Sequence, residues 1–516
     1  MNNNYSVGGL GRRALLKAAV GGFAAGLLPG RWAMAAAGMA DHDISWLSIS
    51  QLQAMYRRRE LSPVDVTQHF LTRIRQLNPV LHAYLAVDAD AAIEAARRAE
   101  SALMKGEATG LLHGIPVSVK DLYMTKGLPT TQGSLIYKDY IPEVDEILVE
   151  RLRGAGAIIL GKTNTPEFAT FPRTKNLLQA ETVNPWNTDC ISGASSGGAG
   201  AAVAAGMSCF AVASDGGGST RIPACFNGVF GMQPSAGRIP MRTPRSVHMS
   251  SAGPMTLHVE DAAIMLQVMA GPDPRDPSAI KQKPLDYAAG MSARGIKGAR
   301  IAWSRNFGFI PIVNQKVIET VEQAAQLFTQ AGAHIEAPDI TLPDEEAWQV
   351  FLAINEISYY RGSRLLDFSP EQQALLSPPT KGMLDLVRRS SKLSEKDIFG
   401  IFEKRKKLQS WADNIFRHHD FICTPTVGIT APKVPEGEWQ QPYADPVYAK
   451  RISTPYTYIA NTLGLPAVSI PCGFVDGMPV GLQVIGRRFN DVGVLAMAQT
   501  FSVMQPWARA HPSLAG

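Results

Sequence analysis

Three short fragments crowded with glycine and serine constrain this chain more than anything else in it: GIPVSVKD at 114–121, SGASSGGAGAA at 192–202 and SDGGGSTRIPA at 214–224. Glycines beside a reactive side chain let backbone N–H groups approach a substrate oxygen without interference from Cβ. In the first fragment, alternation puts Val117 and Val119 on one face of a strand and Ser118 and Lys120 on the other, so Lys120 leaves the sheet at a strand end. The third fragment follows CFAVA at 209–213, which reads as a buried strand. In α/β proteins the loop after such a strand is where chemistry is expected.

The surrounding patterns set the fold class. Ser62, Pro63 and Asp65 form a helix start, Val66, Phe70, Ile74 and Leu77 recur at helical spacing, and Asn78 and Pro79 are expected to end the run. A second helix is expected over Asp90–Lys105, closed by Gly106. Val144, Ile147, Leu148 and Leu152 mark another helix, stopped at Gly154, and AIIL at 157–160 is the next strand. That strand–helix–strand unit implies parallel pairing. An Ala-rich helix is expected over 199–206, whereas PAVSIP and GLQVIG flank a turn at Asp476 and Gly477 and read as a hairpin. The expectation is therefore a single large α/β domain over residues 38–516, with a central mixed β-sheet surrounded by helices and a helical insertion around 340–418. NPWNTDCIS at 184–192 reads as a loop, and GPDPRDPS at 271–278 is the best linker candidate.

The N-terminus carries the pair Arg12 and Arg13, an apolar run from Ala18 to Leu28 and then small residues, with cleavage expected after Ala35 or Ala37. GRRALLK is similar to the twin-arginine export pattern, with Gly11 and Leu15 departing from it. Residues 1–37 are accordingly expected to be a leader, the twin-arginine machinery a partner and the periplasm the destination. An apolar run of 11 residues is too short to span a bilayer, so no stable membrane insertion is expected. The formal charge of +5 falls to +1 without Arg12, Arg13, Lys17 and Arg31, which removes the case for nucleic-acid binding. Five cysteines without CxxC spacing give neither a disulfide framework nor a zinc site, and the ten histidines show no metal-ligand spacing. Cys190, near the serines, is read as a small structural thiol.

Taken together, the three fragments resemble the amidase signature family, with further matches in GKTNTPEFA at 161–169, NPWN at 184–187, DFICTPT at 420–426 and NTLGLPAVSIPCG at 461–473. The resemblance implies a Lys–Ser–Ser relay. Lys120 takes the family's strand-end lysine, Ser195, 75 residues on, the bridging serine, and Ser219, 24 further, the nucleophile that becomes acylated. It also implies a cis peptide bond between Ala194 and Ser195, although the Cys190–Ala194 stretch departs from the family's usual Arg-x-Pro-Gly-Gly. The physical reading agrees: a serine needs a base, and a lysine with a free pKa of about 10.4 serves only when burial makes it neutral. The oxyanion is expected to meet backbone N–H groups of Gly216, Gly217, Gly218 and Ser219.

Ser196, Asp215 and Arg221 are expected to support the site, the last two by pairing to brace the loop. Tyr123, Met124 and Phe168 could line an apolar acyl pocket, with core packing an equally good account of each. GASSG at 193–197 fits a nucleophile elbow but lacks the apolar strand an elbow needs. The expected activity is hydrolysis of small carboxamides, anilides or related esters without a cofactor. Alternatives are the glutamine-using component of a tRNA amidotransferase and an exported solute-binding protein; oligomeric state stays open, a homodimer being one option.

Overall fold

Val117 and Val119 are completely buried because the strand that carries them lies between two parallel neighbours. The computed structural model describes residues 41–107, 109–242, 249–355, 365–390, 393–440 and 455–515, so the leader read at 1–37 lies outside the described residues. The strands, in chain order, are β1 (Tyr84–Val87), β2 (Pro116–Lys120), β3 (Ile158–Thr163), β4 (Val183–Asn184), β5 (Asn187–Ile191), β6 (Phe210–Asp215), β7 (Phe230–Gln233), β8 (Ser251–Thr256), β9 (Arg300–Trp303), β10 (His334–Glu336), β11 (Phe421–Pro425), β12 (Ala467–Val475) and β13 (Met478–Gly486). One 11-stranded sheet runs in the order β1-β3-β2-β6-β8-β7-β12-β13-β11-β9-β10. It is mixed: β3, β2 and β6 are parallel, as are β11, β9 and β10, while the pairs joining them through β8, β7, β12 and β13 are antiparallel.

Local sequence explains most of the helices packed on it. Ser62 and Asp65 exchange side-chain and backbone hydrogen bonds in a capping box that starts the helix Pro63–Leu81. Contrary to expectation, Pro79 does not end that helix. It lies in the last turn, where the missing N–H removes only one bond, and the chain turns at His82, at φ 50°. Asp476 and Gly477, at φ 50° and 79°, make the tight turn between β12 and β13 as the hairpin reading requires.

One other expectation is corrected. Residues 184–192 are largely strand: β4 and β5 form their own antiparallel ribbon, held by Asn184 and by the Trp186 indole donating to the Asn227 carbonyl. The 271–278 stretch lies within the single domain, since one sheet contains residues on both sides of it. Asp273 there is tied to Arg151 and Arg275, and Asp276 caps Ser278 and accepts the Met241 N–H. Among its described residues, the stretch 340–418 carries helices at Asp344–Ile354, Pro370–Ala374, Pro378–Ser390 and Glu395–His418.

Candidate active site

The register of β2 against β6, Ser118 opposite Ala211 and Val119 opposite Val212, brings Lys120 beside the end of β6. Its side chain is wholly buried, and Nζ lies 2.7 Å from Ser195 Oγ, 2.8 Å from Ser196 Oγ and 2.9 Å from Ser214 Oγ. Burial drives this amine well below the ordinary lysine range, against the opposing pull of the Asp215 charge. Among the described residues no carboxylate is within ion-pair distance of Nζ. The Ser196 hydroxyl donates to the Ser214 carbonyl (3.1 Å), so its proton is committed and it can only accept from the lysine. A neutral Nζ must therefore receive its own hydrogen bond from Ser195 or Ser214.

Ser195 and Ser196 sit between β5 and the buried helix Gly197–Ala204, and the Ala194–Ser195 peptide bond is cis. The second loop starts where β6 ends. Asp215 is wholly buried and accepts the N–H groups of Gly218 (2.7 Å), Thr220 (3.2 Å) and Arg221 (3.3 Å), while Arg221 Nε and Nη2 each reach it at 3.0 Å and Asn461 Nδ2 at 2.9 Å. Burial alone would raise this carboxyl, but the Arg221 guanidinium and the hydrogen bonds from Arg221, Asn461 and Gly218 outweigh it and hold the group below its usual range. Arg221 also donates to Gln233, Gln483, Asn461 and the Thr457 carbonyl, which makes the pair a brace for the loop.

The same bonds correct the expected donor set. The Gly218 N–H is held by Asp215 and does not face a ligand, leaving Gly216, Gly217 and Ser219, whose N–H groups have no partner among the described residues. Gly218 instead serves shape: it has φ 124°, and a Cβ on it would lie 2.3 Å from Thr457 Oγ1. Ser219 is half-buried whereas Lys120 and Ser195 are buried, so the hydroxyl at the far end of the set is the one open to solvent. Ser219 Oγ makes no hydrogen bond among the described residues, to Ser195 or otherwise. What joins the loops is the Ser196 N–H donating to the Ser219 carbonyl at 3.2 Å.

The three apolar-pocket candidates part company. Tyr123 is buried in the main core with its hydroxyl on the Ala213 carbonyl of β6 (3.3 Å). Phe168 packs with Leu365, Phe368, Leu376 and Leu384 of the helical stretch, and Met124 is half-buried, its carbonyl accepting the Glu146 N–H. Both aromatic rings are thus core.

Other residues touch the glycine loop. Thr457 Oγ1 donates to the Gly217 carbonyl at 2.7 Å, Asn461 also binds the Asp215 and Met249 carbonyls, and a Cβ on Gly217 would lie 2.7 Å from Phe351 Cζ. Asn461 opens a motif legible in the sequence; Thr457 and Phe351 had no such signal. Lys162 of GKTNTPEFA is a second buried lysine, pulled down to about 8 by burial against the attraction of Asp121. It donates to Thr125, Thr130 and the Tyr123 carbonyl and so ties the chain that follows Lys120. The five cysteines are buried and unbonded to one another.

A buried lysine at a strand end, serines from two loops and a glycine-lined backbone define an amide-hydrolase type of site, and sequence comparison supplies the family. The amidase family profile matches residues 65–495, and the chain belongs to the amidase signature family; it is an amidase, a hydrolase of carbon–nitrogen bonds other than peptide bonds. An acylamidase of Rhodococcus erythropolis is 33% identical over 482 residues, covering 92% of this chain and 99% of the relative. The A-type component of the glutamyl-tRNA(Gln) amidotransferase of Caldanaerobacter subterraneus is 35% identical over 473 residues, covering 88% and 96%. Among solved structures, a bacterial aryl acylamidase of the same family superposes with a TM-score of 0.82 at 28% identity, covering 92% of this chain and 99% of that one. The peptide amidase of Stenotrophomonas maltophilia gives 0.74 at 26% identity, covering 90% and 98%.

Proposed function

We propose that Ser219 is the nucleophile, Ser195 the proton bridge and Lys120 the base of an enzyme that cleaves small uncharged carboxamides, anilides or related esters through an acyl-enzyme. The carrying observation is the buried Lys120 amine with three hydroxyls at 2.7–2.9 Å and no charged partner among the described residues. Neutral Nζ takes the Ser195 proton, Ser195 Oγ takes that of Ser219, and Ser219 Oγ attacks the carbonyl. Apo hydrogen bonds in such sites are often long, and the Ser195–Ser219 link forms when substrate draws the hydroxyl inward. N–H groups of Gly216, Gly217 and Ser219 then hold the oxyanion. Ser195 returns its proton to the leaving amine, and water releases the acid by the reverse path.

The likeness to the acylamidases supports an amide with a simple acyl group as substrate. Likeness to the tRNA amidotransferase components favours glutamine as a second reading, against which stands the expected export leader, since tRNA charging is cytosolic. Intact-mass detection of an acylated Ser219 with an anilide substrate, lost in Ser219→Ala, is the expected result. Wild-type turnover by Ser219→Ala would overturn the assignment, and glutaminase activity exceeding anilide hydrolysis would favour the second reading. We also propose export by the twin-arginine route to the periplasm, supported by Arg12, Arg13 and the apolar run after them.

A further inference from the structure

The helical stretch supplies a residue that no motif marks. Phe351, on the helix Asp344–Ile354, is 8% exposed and its ring tip rests on Gly217, so close that a Cβ there would lie 2.7 Å from Cζ. Behind it stand Trp348 at 5.4 Å and Tyr458 at 5.1 Å between ring centroids, and these two are 5.6 Å apart, which locks the three rings as one unit. Tyr458 follows Thr457, whose hydroxyl holds the Gly217 carbonyl. The loop is thus fixed under the aromatic unit.

A carbonyl oxygen bound at about 2.9 Å by the Gly217 N–H brings its substituents within a few ångströms of Gly217 Cα, where the Phe351 ring already is. The leaving nitrogen has to face Ser195 to collect its proton. The Ser195–Ser196 segment meets the glycine loop at its Ser219 end, through the Ser196 N–H to the Ser219 carbonyl, and Phe351 meets it at Gly217. The acyl substituent, directed away from Ser195, runs toward the ring.

We infer that Phe351 is the specificity wall for the acyl group, so that the enzyme takes flat aryl or unbranched acyl groups and rejects those branched at the carbon next to the carbonyl. This rests on Ser219 being the acylated residue. The test compares kcat/KM for the acetyl, benzoyl and pivaloyl 4-nitroanilides in the wild type, Phe351→Ala and Phe351→Leu, the leucine keeping an apolar side chain should alanine impair folding. Both variants are expected to raise the pivaloyl-to-acetyl ratio by about tenfold or more, the scale on which a few methyl groups discriminate in an apolar pocket. A ratio within about twofold of wild type in both folded variants, with Ser219 still acylated by mass, overturns the wall assignment alone. If Ser219 is never acylated by any of the three anilides, the underlying reading fails instead.

Discussion

At the scale of the residue, one hydrogen-bond count dominates. Lys120 Nζ faces three hydroxyls, and Ser196 gives its proton to the Ser214 carbonyl, so a protonated amine can donate to all three while a neutral one must be donated to. Burial favours the neutral form, so the catalytically useful state is reached at lower pH than for a free lysine. Activity should therefore climb as pH rises through a pKa depressed below about 10.4, and flatten above it. A kcat/KM profile on a slow anilide, with chemistry limiting, checks this; activity that fell with rising pH, or that rose only through the ordinary lysine value of about 10.4, would contradict it. Lys120→Met should lower kcat by about 10²–10⁴, the usual worth of a positioned base. Asp215→Ala tests the brace. It leaves the Arg221 guanidinium buried without its carboxylate, which should cost about 3–5 kcal/mol in urea unfolding, because an uncompensated buried charge keeps its desolvation penalty.

At the scale of the element, the loop after β3 holds the helical stretch in place. Glu167 is buried and its carboxylate accepts from Ser134 Oγ at 2.7 Å and from the Ser377 N–H and Oγ at 2.8 and 2.6 Å. Phe168, at φ 48°, sets its ring among Leu365, Phe368, Leu376 and Leu384, so a carboxylate and a ring from adjacent residues peg the same segment. Glu167→Ala should strip hydrogen bonds worth about 1.5–3 kcal/mol each, short of additively. Hydrogen exchange should rise over 370–390 while β2 and β6 keep their protection. Equal loosening of sheet and helices would show that Glu167 serves the whole core rather than this segment. Sequence patterning located the elements themselves well. It missed the β4–β5 ribbon, whose Asn and Trp anchors act through contacts distant in sequence, and it stopped a helix too early at Pro79.

At the scale of the whole molecule, the proposed export gives a prediction independent of catalysis. Replacing Arg12 and Arg13 with lysine should leave the active enzyme in the cytoplasm, measured by activity in periplasmic and cytoplasmic fractions; unchanged periplasmic activity would count against the leader. The sequence determined the α/β class, the strand-end lysine, both serine loops and the glycines between them, because strand alternation and the chemistry of short glycine-rich turns are local properties. It also matched residues to a family through motif spacing. Only the tertiary structure decided that Asp215 takes the Gly218 N–H, that Tyr123 and Phe168 are core, and that Phe351 lies against Gly217. The Asp215–Gly218 bond spans three residues and depends on how the loop turns. The packing of Tyr123 and Phe168 and the meeting of Phe351 with Gly217 depend instead on which side chains reach the same point from segments far apart in the chain, more than a hundred residues in the last case. No periodicity along the chain encodes such a meeting, because it is fixed by strand order and register across the sheet and by the packing of helices upon it.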